Sequence, residues 1–236
     1  MAYPIGERPP PNLRQPLRVE AFVITHNETG ERLSSPAAIG VALAGAVLVD
    51  ELLRPAERIR IVDQRVIVTN PNLSGDPVGD WAVGMLAGPG GWSALASQPR
   101  SMPVRDAVRL LAADAYERTA AGMFAGGLIV QTSHRRIARG RRRYPPTDPN
   151  VIPRVRGRLI STLTRSTNPD LQTDALGALV LGLDLISELY LDGSGLNVRA
   201  LLGEMVELIG AGKPNVQLVL AETDSLVGEA AVQVYG

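Results

Sequence analysis

The sequence predicts a mainly α fold, a single-domain helical bundle that carries two small β-hairpins. Three observations point there. The core stock is aliphatic, with 45% hydrophobic residues but only 4% aromatic ones, and the Ala- and Leu-rich part of that mixture favours helix. Helix-start signals such as Ser35-Pro36 precede long apolar stretches. Only 58–69 and 128–143 read as paired strands. The 236 residues suffice for a sizeable core, and no linker forces a second domain.

Met1 to Pro16 holds five Pro and no apolar stretch. It reads as a disordered lead-in rather than a signal peptide, with the folded domain expected over 17–236. Residues 17–25 fit either strand or helix. NETG at 27–30 is a turn. Ser35 as N-cap and Pro36 at the first position start a helix to about Arg54, apolar nearly all round. Its apolar run, Pro36 to Val49, falls short of the ~20 residues of a spanning helix, so it predicts a buried core helix. RIRIV (58–62) and RVIVT (65–69) flank Asp63-Gln64 as a hairpin. Gly75-Asp76-Pro77 opens a short helix to about Ala87, and GPGGW at 88–92 is a loop. Pro103 starts a long helix to about Ala125, stopped by Gly126-Gly127. Leu128 to Thr132 predicts a strand, with 135–143 as its return. Helices are expected over 151–166, 170–191 and 197–210, and an amphipathic stretch over 214–234.

Charge is distributed unevenly. Arg135, Arg136, Arg139, Arg141, Arg142 and Arg143 fall within nine residues. From 135 to 158 there are nine Arg and only Asp148 as acid, a local +8, whereas 166–236 sets ten acids against Arg199 and Lys213, or −8. The whole chain is neutral. A run of this kind cannot be buried unpaired, at several kcal/mol per charge. Four readings are open: a solvated hairpin, a contact with an anionic membrane, a contact with nucleic acid, or docking on the acidic part of a second copy. An anionic surface attracts each nearby Lys or Arg by about 1 kcal/mol. Nucleic acid ranks low, because Tyr144 is the one aromatic in the segment.

Catalytic signals are poor. There is no Cys, hence no disulfide, thiolate site or Cys nucleophile. His26 sits beside a turn and His134 beside the Arg run, and nothing in the sequence brings them together. Gly193-Ser194-Gly195 reads as an interhelical loop. GAGK at 210–213 lacks the spacing and the Ser/Thr of a phosphate loop. Glu204 and Glu207 form a solvated helix face. Trp81 is expected in the core. Trp92 is read as packing over the bundle end or anchoring at an interface. No metal or cofactor is expected.

Several phrases in fixed order resemble the Golgi phosphoprotein 3 family, in its actinobacterial branch. They are NETG (27–30), ALAGAVLVDELL (42–53), RIRIVDQRVIV (58–68), SGDPVGD (74–80), YERTAAGMFAGGLI (116–129), RRRYPPTDP (141–149) and DALGALVLGLDLISEL (174–189). The resemblance covers about 17–236. It implies a helical bundle with amphipathic outer helices and a projecting hairpin. In eukaryotic members it implies a peripheral membrane adaptor that binds phosphatidylinositol 4-phosphate. The positions of that lipid pocket fall on Ser35, Ala44, Ala113 and Tyr116, none of which keeps the family's Trp or Arg. The family's apolar hairpin tip corresponds to the basic IARGRRRYPP. The expectation is therefore a non-catalytic, cytoplasmic protein, peripheral on the inner face of the plasma membrane. It would contact anionic phospholipid through the six arginines. A protein client or homo-oligomer is the alternative partner, with nucleic acid last.

Overall fold

The computed structural model describes residues 14–88, 100–133, 142–164, 170–194 and 197–232. Helices α1 (Leu17–Ile24) and α2 (Pro36–Leu53) come first, then strands β1 (Ile59–Val62) and β2 (Arg65–Val68). Helix α3 (Pro77–Ala87), strand β3 (Ser101–Pro103), helix α4 (Val104–Ala125) and strands β4 (Thr132–Ser133) and β5 (Arg142–Arg143) follow. Helices α5 (Val151–Leu163), α6 (Leu171–Gly182), α7 (Val198–Gly212) and α8 (Pro214–Val232) complete the chain. The fold is mainly α, as the sequence predicts.

Helix α2 is the axis. Ser35 Oγ accepts from Ala38 N at 3.2 Å and Pro36 opens the first turn, so the start is where the Ser-Pro pair puts it. Every residue from Ala38 to Val49 is buried, with α1, α3, α4 and α8 packed around it. By length and mean hydropathy alone this helix could cross a membrane; in the structure it is wrapped by protein. Small residues set the approach distances. A Cβ on Gly45 would lie 2.2 Å from Thr223 Oγ1 of α8, and one on Gly40 would lie 2.8 Å from Ala112 O of α4.

The far end of α2 is charged and buried. Asp50 accepts the first two amides of α1, from Leu17 at 2.7 Å and Arg18 at 3.2 Å, so one helix caps another. Arg18 bonds Asp50 at 2.8 Å and Asp76, the N-cap of α3, at 2.7 Å. Glu51 is fully buried and receives Arg54 at 2.7 Å and Arg58 at 3.3 Å. Arg58, itself buried, reaches Asp80 at 2.8 Å and Ser74 Oγ at 3.0 Å. Burial pushes the Asp50 carboxyl up to about 6 despite Arg18, and raises Glu51 despite Arg54 and Arg58.

Strands β1 and β2 form the expected hairpin, with Val62 opposite Arg65 and left-handed φ at Asp63 and Gln64. β3 adds a third strand, pairing Met102 with Val66. The expectation of two simple hairpins is thereby corrected to a three-stranded sheet plus a two-stranded one.

Residues 17–25, ambiguous in sequence, form helix α1 through Ile24. Leu128–Thr132 is not a strand throughout. Ile129 makes an isolated bridge to Pro146, and only Thr132–Ser133 pair as a ladder. Facing Pro145 and Pro146 have no N–H to donate, so the chain holds on through Val130 N to Pro145 O and Thr147 N to Leu128 O.

The helix expected over 170–191 stops at Gly182. Asp184 turns left-handed (φ 54), with Leu185 N bonded to Val180 O and Asp184 N to Leu181 O, a Schellman closure. Tyr190 repeats it (φ 53), through Leu191 N to Ile186 O. Leu185, Ile186, Leu189 and Leu191 stay buried, so the apolar pattern outlives the helix. Trp81 is partly buried against the core, with Arg118 over its ring at 5.6 Å. GPGGW beyond Gly88 lies outside the described residues.

Two stability predictions follow from this packing. Gly45→Leu must displace Thr223 and should cost about 1–3 kcal/mol, read as a lowered midpoint in thermal or urea unfolding. Asp174 is the second target. It is 6% exposed, and its Oδ1 has no hydrogen-bond partner among the described residues. Burial, then Asp170, raises its carboxyl to about 6 from the ordinary 3.8. The native state thus holds a proton that the unfolded chain has lost between those values. Stability from this group is complete below pH 3.8 and is lost as pH rises through 6. Asp174→Asn should therefore match the parent at pH 3.5 and be about 1–2 kcal/mol more stable above pH 7, in urea melts across pH.

Candidate anion-binding site

The site is built at the root of the Arg-rich segment, where three pieces of chain meet. The first is the turn after α1. Asn27 Oδ1 accepts from Thr29 N at 3.0 Å, Thr29 Oγ1 at 2.8 Å and Glu31 N at 2.9 Å. Gly30 has φ +77, and a Cβ there would fall 2.2 Å from Pro145 N. Tyr144 N donates to Gly30 O at 3.1 Å, so turn and β5 are in direct backbone contact. His26 bridges Arg32 across the turn, which fixes Glu31 and Arg32.

The second piece is the N-terminus of α2, with Ser35 as its cap. The third is β5, where Arg142 and Arg143 pair with Ser133 and Thr132. Between them lies a cavity of about 510 Å³, lined by Arg32, Ser34, Ser35, Arg142 and Arg143, with Glu31 and Pro36 at its walls. That volume is within the ~300–1,000 Å³ of ordinary ligand sites. Arg143 pairs with Glu31. Arg142 is mostly exposed, 3.9 Å from Glu117 on α4. Arg32 makes no ion pair among the described residues; its guanidinium lies over the Tyr116 ring, 5.6 Å from the centroid, a cation–π arrangement. The positive end of the α2 dipole adds to the field.

Aromatic packing holds Tyr116 in place. Phe22 stacks on His26 at 4.3 Å, and Tyr144 meets Phe22 and Tyr116 edge-on. His26 Nδ1 faces the Phe22 carbonyl at 2.7 Å, so the proton sits there and Nε2 accepts from the Tyr116 hydroxyl at 3.0 Å. Burial holds His26 down to about 4 and pushes Tyr116 up to about 12. Both are neutral at pH 7. His26, expected to be structural or merely exposed, is a buried structural residue.

The sequence-named residues are distributed unevenly. Arg142 and Arg143 line the cavity; Arg135, Arg136, Arg139, Arg141 and His134 lie outside the described residues. Of the four positions drawn from the family pocket, Ser35 lines the cavity and Tyr116 carries Arg32. Ala44 is sealed inside α2 and Ala113 is exposed on α4. Sequence reading missed Arg32, Ser34 and Glu31. The NETG turn just before them was the one available signal, because a tight turn ahead of an Arg presents it at a fixed place. Glu204 and Glu207 are exposed on α7. Among the described residues no group of three or more His, Asp or Glu could hold a metal ion.

Three guanidiniums around one cavity can hold a phosphate or carboxylate by charge-assisted bonds. The buried His26 faces a carbonyl and a phenol and does not line the cavity. No curated protein matches the chain. Residues 17–230 match the family model described as Golgi phosphoprotein 3 (GPP34), and over that span lie all the elements of the bundle but the last residues of α8. The chain belongs to the Golgi phosphoprotein 3 (GPP34) family.

Proposed function

We propose that this chain is a non-catalytic peripheral membrane protein that contacts anionic phospholipid through the Arg-rich segment 135–143, acting at the inner face of the plasma membrane as an adaptor. The observation that carries the reading is the cavity at the root of that segment, where Arg32, Arg142 and Arg143 converge. Family membership supports it, since the resemblance implies a peripheral membrane adaptor in the eukaryotic members. Contact is by charge. Ile137 is the one sizeable aliphatic between Arg135 and Arg143, so little apolar area is available for insertion.

Self-assembly is the second reading, favoured by the net −8 of residues 166–236 as a landing face for the basic segment of another copy. It is weakened because Glu222 and Glu229 of α8 are already committed to Arg105 and Arg109. Nucleic acid is weaker still, for Tyr144 is buried at 5% exposure and offers no face for a base.

Changing Arg141, Arg142 and Arg143 together to Ser should weaken co-sedimentation with anionic vesicles by about 3 kcal/mol, roughly a hundredfold. Parent binding should fall steeply from 0.1 to 1 M salt, as the Debye length shrinks from about 10 to about 3 Å. Binding that survives either change refutes the electrostatic reading. Duplex DNA assayed in parallel should compete poorly, and loss of an oligomer in the triple variant would favour self-assembly. Vesicles of equal charge should bind equally whether or not they carry phosphatidylinositol 4-phosphate, since Ala44 and Ala113 offer no cation. A clear preference for that lipid would show the family pocket to be rebuilt.

A further inference from the structure

Resting on that reading, we propose that Glu31 is a built-in competitor for the site: its carboxylate occupies Arg143 until the phosphate of an anionic lipid headgroup takes its place. Glu31 is not a chance surface partner. Asn27 Oδ1 holds its amide at 2.9 Å, Asn27 N donates to its carbonyl at 2.9 Å, and Asn27 Nδ2 reaches Oε2 at 3.3 Å. The other carboxylate oxygen faces Arg143. Turn and strand are pinned by the Gly30–Tyr144 contact, so the carboxylate stands at a fixed place on the wall of the cavity. A carboxylate so placed makes the kind of contact with the Arg143 guanidinium that a phosphate would make.

The pair is well placed to exchange. Arg143 is 33% and Glu31 47% exposed at the side chain, and an ion pair of that exposure is worth little. A phosphate carries comparable or greater charge and finds Arg32 and Arg142 beside Arg143, which the single carboxylate of Glu31 does not engage among the described residues. Once displaced, Glu31 keeps the two bonds its backbone makes with Asn27 and needs only to turn its side chain toward water. The latch would thus discriminate against weak, singly charged anions and admit a phosphate lying on a charged surface.

The test measures affinity of the full chain for phosphatidic acid vesicles at fixed salt. Glu31→Gln should tighten binding about two- to fivefold, the range for loss of an exposed ion pair. Glu31→Asp keeps the net charge but falls a methylene short of Arg143, and should also tighten it. Glu28→Gln removes an equal charge from the exposed part of the same turn without touching Arg143, and should change it less than 1.5-fold. Arg143→Ser should abolish the Glu31→Gln gain. Soluble glycerol phosphate, run alongside, assigns the source: a gain with vesicles alone fixes the phosphate to a bilayer, and a gain with both admits free phosphate. Equal gains from Glu28→Gln and Glu31→Gln would reduce the effect to net charge and overturn the latch. So would an unchanged or weakened Glu31→Gln together with an unchanged Glu31→Asp. If the latch fails while Arg143→Ser still weakens binding, the lipid reading stands; if Arg143→Ser has no effect, both fall.

Discussion

Seven charged side chains closed in at one end of α2 hold this molecule in register. Arg18, Arg54 and Arg58 share Asp50, Glu51, Asp76 and Asp80 across four pieces of chain. Such a network is a weak source of net stability, because desolvation offsets most of the attraction, but removing one member strands a buried charge at about 3–5 kcal/mol. Its effect is positional. Asp50 caps α1, Asp76 caps α3, and a Cβ on Gly79 would sit 2.2 Å from Glu51 Oε1 and have to displace that carboxylate from its arginines. With α1 fixed, the turn that follows it is fixed, and with the turn, Glu31 and Arg32.

How far the sequence could be read depended on where the decisive contacts lie. Starts set by a local cap were legible: Ser35-Pro36, Asp76-Pro77, and Asp170, whose carboxylate takes Thr173 N at 3.0 Å. Gly127 at φ +68 ended α4 where the Gly-Gly pair predicted it. Elements decided by distant partners were not. All eight residues of α1 are buried, so no periodicity told helix from strand. β3 is three residues ending in Pro, visible only through its pairing with β2. The turn at Asp184 has no glycine at its left-handed position, and its apolar neighbours imitate a continuing helix.

The candidate site was half legible for the same reason. A dense Arg run announces itself in any sequence, and Arg142 and Arg143 do stand at the cavity. Arg32 lies over a hundred residues away and gives no sign of itself beyond the preceding turn. Its placement also changes the meaning of Tyr116. Judged against the family's lipid pocket this is a lost cation; in the structure it is the platform on which a cation from another element rests.

Gly30 and the strand it touches leave no gap between them: Tyr144 and Pro145 backbone atoms stand within 2.5 Å of where a Cβ would be. Two backbones in such contact cannot slide past one another. A load applied to the Arg-rich segment from outside would therefore not bend the chain at its root. It would pass through Gly30 into the turn that positions Glu31 and Arg32, and so to the end of α1.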